Sequence, residues 1–428
     1  MTDNIPLDEQ GRSFHVKAYI RAGQLKDASD LIYTYENRNL APSMKTYSHL
    51  ISRLFLNTTA TPSTRALAWD MFAHMRYVAR PTPDAYFYAI MIRACADAPI
   101  PQAERALDLF TEMRIDNRIE PTRDAYNWTI LACARASKDF AHDAFRLAQE
   151  MFDSSRTGAV QMRPDLNTFC ALLESAKRTG DLKRTRWILA ELINAYQRGD
   201  ESLRPDEEVM AHVFQMYTSY RPPFNRDVVR RTQEPNSEDA VAETREISYT
   251  KGTRIHPDAT MDLPQSHAET ISEATMFYNR MRDDIFRAKS TEPASRPGLP
   301  IFSHVIPTPD LLNSYLSVYF AHASLASARE TYDAVFAEFD TRRTPRTYLL
   351  ALQRCGISRT DHDRRDALPF ARSVWENWRI MEDSQLAEPE RSATTPKISP
   401  RTIEKLWSSM IRVLTLCVHL SSLCSGPR

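Results

Sequence analysis

A proline-acid phrase that leads into an aromatic and apolar run recurs along this chain. It stands at RPTPDAYFYAIMIRACA (80–96), RPDLNTFCALLESAK (163–177) and RPDEEVMAHVFQMY (204–217). Counted from the residue after each junction, the units begin at Glu9, Met44, Ala85, Arg123, Leu166, Glu207, Pro309 and Pro345. Successive starts are separated by 35 to 43 residues, except for one interval of 102 residues. A period of this length is typical of stacked two-helix repeats.

Three positions in each unit fall on one face of a helix. The fourth, eighth and eleventh residues are mainly apolar, and their spacing of i, i+4, i+7 is that of a helical stripe. The fourth-place residues are Arg12, Tyr47, Tyr88, Tyr126, Phe169, Met210, Leu312 and Tyr348. The eleventh place holds Cys95, Cys133 and Cys355, and we expect these thiols to be core residues rather than metal ligands.

A second amphipathic segment follows in five units and aligns on a small residue. The small residues are Ala28, Ala106, Ala144, Ala274 and Ala371, with larger side chains mostly four and seven positions later. Alanine allows two helices to approach closely. Each unit is therefore predicted to be an antiparallel helical hairpin, with turns such as RAGQL and RTGDL.

The junction residues predict where each first helix begins. Asp84, Asp165 and Asp206 are expected to accept backbone N–H bonds as N-caps, and Thr122 and Thr308 occupy the same place. Because proline breaks helices, we expect the 26 prolines to lie between helices.

The predicted fold is all-α, a right-handed α-solenoid of about eight hairpins. Residues 1–220 are predicted to form about five repeats and the first helix of a sixth, and residues 269–380 the C-terminal repeats. Between them, 221–268 is rich in Pro, Ser, Thr and charge and is predicted to be a disordered insertion within the sixth repeat. Residues 381–399 are predicted to be a polar linker. Residues 400–428 are expected to be a partial repeat of a chain truncated at its C-terminus.

Several functional classes lack their signatures. The sequence contains no CxxC pair, Walker loop, GxSxG or HExxH motif, so we predict neither an enzyme nor a cofactor or metal site. The segment DHDRRD (361–366) is compatible with a metal cluster, but an inter-helix turn is the favoured interpretation. No run of 18 apolar residues predicts a membrane span.

The repeat resembles the pentatricopeptide repeat family. The resemblance rests on the aromatic fourth place, on AYNWTILACARAS (125–137) followed by AFRLAQEM (144–151), and on the proline-acid junctions; it is clearest over 84–122. It covers most of 9–220 and 270–380. The tetratricopeptide repeat fits less well, because its unit is strictly 34 residues long and carries a Trp-Leu-Gly phrase that is absent here. The long, uneven units are similar to fungal mitochondrial members tied to small-subunit ribosomal RNA maturation and intron splicing.

The resemblance implies that the chain binds single-stranded RNA, with about one base read per repeat and without catalysis. In this family the deciding places are the fifth of the first helix and the last before the next repeat. The polar residues at these places are Ser13, Ser48, Asp84, Asn127, Asp165, Asp206 and Asn313. Asn127 with Asp165 resembles a uracil reader, and Ser48 with Asp84 resembles a guanine reader. Ala89, Ala211 and Leu349 cannot hydrogen-bond a base, so sequence reading is expected to be patchy.

Each candidate also has a plainer interpretation. The aspartates are compatible with helix capping alone or with both roles. Basic residues that are candidates for phosphate contacts, or for an ordinary solvated helix face, are Lys177, Arg178, Lys183, Arg184, Arg186, Arg342, Arg343 and Arg346.

The resemblance further implies a mitochondrial location, with the small ribosomal subunit precursor or RNA-processing proteins as partners. The N-terminal MTDNIPLDEQGRSF, however, is acidic and unlike a transit peptide. The alternative is a protein-binding helical scaffold without RNA contact. A formal net charge of zero, from 55 basic and 55 acidic residues, favours that alternative.

Overall fold

The computed structural model describes residues 7–56, 61–79, 83–156, 163–223, 263–289, 300–357, 361–387 and 398–424. Within these ranges the regular secondary structure consists of α-helices and short 3-10 and π-helical turns, and no strand occurs. This confirms the predicted all-α class of repeated hairpins. Residues 224–262 of the predicted insertion and 388–397 of the predicted linker lie outside them. None of the described helices is both long and apolar enough to cross a membrane.

Seventeen α-helices occur in the described ranges. The first nine are α1 (Glu9–Arg21), α2 (Leu25–Glu36), α3 (Met44–Leu56), α4 (Pro62–His74), α5 (Ala85–Ala96), α6 (Ala103–Thr111), α7 (Arg123–Arg135), α8 (Ala141–Arg156) and α9 (Leu166–Thr179). The others are α10 (Leu182–Gln197), α11 (Glu207–Ser219), α12 (His267–Lys289), α13 (Pro309–His322), α14 (Leu325–Glu338), α15 (Pro345–Cys355), α16 (Asp361–Ala387) and α17 (Pro400–Cys424).

The chain forms two compact units, one ending at Ser175 and the other beginning at Ala176. In the first unit, the first helices α1, α3, α5 and α7 contact one another in order, and α2 and α6 each pack against the first helix that follows. In the second unit, α11, α13, α15 and α17 contact one another in the same way. The region boundaries and the right-handedness of the solenoid stay predictions.

Side-chain caps begin the first helices, as the junction residues predict. Asp84 Oδ1 accepts a hydrogen bond from Phe87 N at 2.7 Å, and Asp206 Oδ1 accepts one from Val209 N at 2.9 Å. The same geometry occurs at Asp165, Thr122 and Thr308. Such a cap stabilises a helix by about 1 kcal/mol. At the RTGDL turn, Gly180 has a φ of 74°, a left-handed conformation that glycine adopts without strain.

The predicted stripes form the core of each unit. Tyr88, Ile92 and Cys95 are fully buried in α5, as are the equivalent residues of α3. The buried Tyr88 keeps a polar partner, since its Oη donates to Glu112 Oε1 at 2.6 Å. Burial raises the pKa of the Cys95 thiol to about 12, which agrees with its assignment to the core.

The second helices also carry the predicted small residue, and the structure extends the pattern. Ala28, Ala106 and Ala144 are fully buried. In α10 the equivalent residue is Thr185, which is 2% exposed and donates its hydroxyl to Asp181 O. The alanine alignment misses this hairpin because the small residue there is polar.

Two expectations about the C-terminal part are wrong. Pro369 lies inside α16 rather than between helices. The DHDRRD segment is the beginning of α16, not an inter-helix turn. Asp363 within it accepts hydrogen bonds from Leu325 N and from Arg354 Nη2, so this carboxylate connects α16 to the start of α14 and to α15. The helix also continues to Ala387, beyond residue 381 where the polar linker is predicted to begin.

Enlarging a buried alanine of the second helices is expected to separate a hairpin. Ala106→Leu forces extra atoms into a close helix contact and should lower the free energy of unfolding by about 1–3 kcal/mol. Urea unfolding followed by circular dichroism measures this change. The control is Ala18→Leu on the exposed side of α1, with an expected change within about 0.5 kcal/mol. Equal effects from both variants would contradict the close packing.

Candidate nucleic-acid interface

The structure brings Asn127 and Asp165 together at the junction of α7 and α9. Asn127 Nδ2 donates a hydrogen bond to Asp165 Oδ1 at 2.9 Å. Thr168 Oγ1 donates to Asn127 Oδ1 at 2.6 Å, and Asp165 N donates to Thr168 Oγ1 at 3.1 Å. One set of hydrogen bonds therefore both caps α9 and orients the Asn127 amide.

Two other junctions repeat this arrangement of a fifth-place residue, a last-place residue and a threonine. Asn313 Nδ2 donates to Thr344 Oγ1 at 3.3 Å, and Thr344 N donates to Thr347 Oγ1 at 3.1 Å. At the first junction the hydroxyls of Ser13 and Thr46 lie 3.0 Å apart, and those of Ser43 and Thr46 lie 3.3 Å apart. We call these three sets the junction clusters.

The threonine of each junction cluster is the functional candidate that the sequence analysis missed. Thr46, Thr168 and Thr347 all stand at the third place of a first helix. The third places of the other five units are Gly11, Phe87, Ala125, Val209 and Leu311, none of which has a side-chain hydroxyl. The signal was therefore present in the sequence as a column that is hydroxylated only in the second, fifth and eighth units.

Ser48 and Asp84 are not joined in the same way. The Ser48 hydroxyl donates to Met44 O at 3.0 Å within its own helix, and Asp84 caps α5. The third place after Asp84 is Phe87, which offers no hydroxyl to connect the two. Asp206 likewise caps α11. The base-reading roles of Ser48, Asp84 and Asp206 stay predictions.

The two fifth-place amides are buried. Asn127 is 6% exposed and Asn313 is 1% exposed. Asn313 Oδ1 has no hydrogen-bond partner within the part of the chain that the structure describes. The second carboxylate oxygen of Asp165 lies 3.3 Å from Arg123 Nε, which partly compensates its charge. A ligand would therefore meet groups that the protein already holds in place.

The candidates for phosphate contacts have different surroundings. Lys177 Nζ donates to Gln215 Oε1 at 3.0 Å, and Arg184 pairs with Asp181 at 3.3 Å. Arg346 pairs with Asp310 at 3.4 Å, although both side chains are more than half exposed. Arg178, Lys183 and Arg342 are exposed. The phosphate roles of these six basic residues stay predictions.

The phosphate roles predicted for Arg186 and Arg343 do not fit their surroundings. Arg186 forms a two-armed ion pair with Glu273, with distances of 2.9 and 2.6 Å, and Tyr217 Oη donates to the same carboxylate. Burial lowers the pKa of Arg186, but its bonds to Glu273 outweigh burial and raise the pKa overall. Arg343 donates to Tyr332 O at 2.9 Å and lies over the Tyr332 ring. Both guanidinium groups are structural.

Comparisons with known proteins give structural likeness only. No family model matches this sequence, and no curated protein sequence matches it. Among solved structures, the chain is similar to the crystal structure of the pentatricopeptide repeat protein PPR10 from maize, with a TM-score of 0.37 and 14% identity. That comparison covers 100% of this chain and 60% of the maize chain.

A second crystal structure shows PPR10 in complex with an 18-nt psaJ RNA element. It matches with a TM-score of 0.32 and 14% identity, over 99% of this chain and 54% of that chain. The chain thus spans a little over half the length of the solved chains it resembles. At this TM-score the likeness carries no argument about what this chain binds.

Removing one partner of the buried ion pair is expected to destabilise the second unit. Arg186→Met leaves the Glu273 carboxylate buried without its cation, and should lower the free energy of unfolding by about 3–5 kcal/mol. Urea denaturation measures the loss. The control Arg184→Met breaks a more exposed pair and should cost less than about 1 kcal/mol. If Arg186→Met were as stable as the original chain, the structural assignment of Arg186 would be wrong.

Proposed function

We propose that this chain is a non-catalytic RNA-binding protein that reads bases of single-stranded RNA at its junction clusters. The observation that carries the proposal is the hydrogen-bonded set of Asn127, Asp165 and Thr168. The Asn127 amide has a second N–H, and the carboxylate of Asp165 has further lone pairs. One donor beside one acceptor complements a carbonyl oxygen and the adjacent N–H on the Watson–Crick edge of uracil.

Pre-orientation supports this proposal. Thr168 and the backbone of α9 hold both polar side chains before any ligand arrives. Binding to groups that are already ordered costs less conformational entropy than binding to mobile ones. RNA-binding helical repeats recognise unstacked bases through a few such side chains on each repeat.

The distribution of the clusters sets how much sequence the protein reads. Junction clusters occur at the first, fourth and seventh junctions, while Ala89, Ala211 and Leu349 occupy other fifth places without a hydrogen-bonding side chain. Reading is therefore proposed to be discontinuous along the RNA. The remaining affinity has to come from contacts with phosphate and sugar, which do not depend on sequence.

The cellular role that we propose follows from the resemblance of the repeats. It is the processing or maturation of a mitochondrial transcript, with small-subunit ribosomal RNA 5′-end processing and intron splicing as the specific candidates. Expression of the full-length natural protein with a C-terminal fluorescent tag tests the location. Signal confined to the cytosol would overturn the mitochondrial part and leave RNA binding untouched.

A protein-binding scaffold is the second candidate function. It is favoured by the net charge of zero and by the burial of apolar Ala89, which is 6% exposed at a fifth place. Such a scaffold needs no RNA contact. The experiment that follows separates the two functions.

Crosslinking of the chain to RNA in cells, followed by sequencing of the bound fragments, tests the proposal. We expect RNA above background, and we expect Asn127→Ala and Asp165→Ala to relax the preference at one base about 2- to 12-fold, the value of a single hydrogen bond. Asn37→Ala, at an exposed residue after α2, is the control. Recovery of protein partners without RNA would favour the scaffold.

The threonine of the cluster offers a sharper test of base reading. Thr168→Val keeps the shape but removes the hydroxyl that orients the Asn127 amide. We expect it to change base preference at the same nucleotide as Asn127→Ala, and Thr168→Ser to restore the original preference. Binding to a library of short RNAs measures both. A uniform loss of affinity for every sequence would mean that Thr168 only stabilises the helix.

A further inference from the structure

We propose that Lys17, Arg21, His49 and Arg53 form a binding site for the phosphate groups of single-stranded RNA, on the first-helix face of the two N-terminal hairpins. We call these four residues the N-terminal basic cluster. The inference rests on the proposed function and names a backbone contact for it. The sequence analysis placed its phosphate candidates elsewhere, between residues 177 and 186 and between 342 and 346.

The register of two neighbouring helices brings the cluster together. Helices α1 and α3 contact each other, and the hydroxyls of Ser13 and Thr46 are 3.0 Å apart across that contact. Lys17 and Arg21 follow Ser13 by one and two turns of α1. His49 and Arg53 follow Thr46 by one and two turns of α3. Residues three or four apart share a helix face, so the two rows extend from the same bonded pair.

Electrostatics supports this convergence. Burial lowers the pKa of His49 below its ordinary value, and the positive charges of Arg53, Lys17 and Arg21 lower it further. Two of those charges lie on the other helix. The imidazole of His49 therefore lies in the positive field of both α1 and α3.

The three permanent cations have no acidic partner within the described ranges. Lys17 Nζ lies 5.8 Å from the centroid of the Phe14 ring, and no ion pair involves Lys17, Arg21 or Arg53 among the described residues. The corresponding face of α5 and α7 differs, because Arg93 and Arg135 share the carboxylate of Asp97. Like charges placed side by side repel one another, and an anion relieves that repulsion.

The position of the cluster favours RNA over an acidic protein. Lys17 stands one helical turn, about 5.4 Å, beyond Ser13 of the first junction cluster. A nucleotide whose base edge meets that junction cluster has its own phosphate close to these cations. A row of cations one turn apart also fits an anion with regularly spaced charges, which an RNA backbone supplies.

The test measures how RNA affinity depends on salt. The probe is a fluorescent 20-nucleotide oligouridylate, bound between 50 and 200 mM KCl. For single strands, each phosphate contact contributes about 0.7 to the slope of log affinity against log salt. The triple variant Lys17→Gln, Arg21→Gln, Arg53→Gln should therefore lose about 2 from that slope, with weaker binding at every salt concentration. The single variant Arg53→Gln should lose about 0.7.

The control variant removes equally many exposed cations from elsewhere in the first unit: Lys26→Gln, Arg38→Gln, Lys138→Gln. It should keep the original slope. If the unaltered chain binds RNA and both triple variants keep its slope, the cluster is not a phosphate site, although RNA binding stands. If polyglutamate competes as well as unlabelled oligouridylate, the assignment to RNA is wrong. If the unaltered chain binds no RNA, the proposed function itself fails.

Discussion

The hydrogen bond from a backbone N–H to the side-chain oxygen of the last-place residue is the contact on which the rest of the structure depends. It forms at Asp84, Thr122, Asp165, Asp206 and Thr308. It places the beginning of the helix after a proline, and this fixes which residues fall on the buried stripe. At Asp165 the same carboxylate oxygen also accepts the Asn127 amide. Helix initiation, the stacking of consecutive first helices and the candidate base-reading group thus share one atom.

Structural features that recur in every unit could be predicted from the sequence alone. Columns of apolar residues, small residues and caps recur often enough that the hairpins, the buried Cys95 and the caps at Asp84 and Asp206 could be predicted. Contacts that occur once could not be predicted. Arg186 meets Glu273 across 87 residues of sequence, and no periodic signal connects them. The local run of basic residues therefore predicted a phosphate contact for Arg186, whereas the structure places its side chain in an ion pair with Glu273.

The N-terminal basic cluster could not be predicted from the sequence, because no run of charge marks it. Its four residues are spread over two helices at ordinary density, so no local run of charge marks them. Only the register between α1 and α3 brings the four residues onto one surface. By the same logic, Thr168 looks like one more polar residue in the sequence. In the structure it occupies the position that decides which way an amide faces. Pairwise geometry between neighbouring hairpins, rather than composition, carries the functional information.

The last-place residue serves both as a helix cap and as a candidate base-reading group, and this limits which base preferences can be designed into the protein. All seven last places are Ser43, Asp84, Thr122, Asp165, Asp206, Thr308 and Thr344. Each is a Ser, Thr or Asp, the residue types that favour the N-cap position, and alanine or a branched aliphatic residue at a capping position weakens the following helix. The chemical alphabet for reading a base at this place is therefore confined to Asp, Asn, Ser and Thr. A redesign that seeks new base preferences can therefore choose among four residue types at the last place, and among more residue types only at the fifth place.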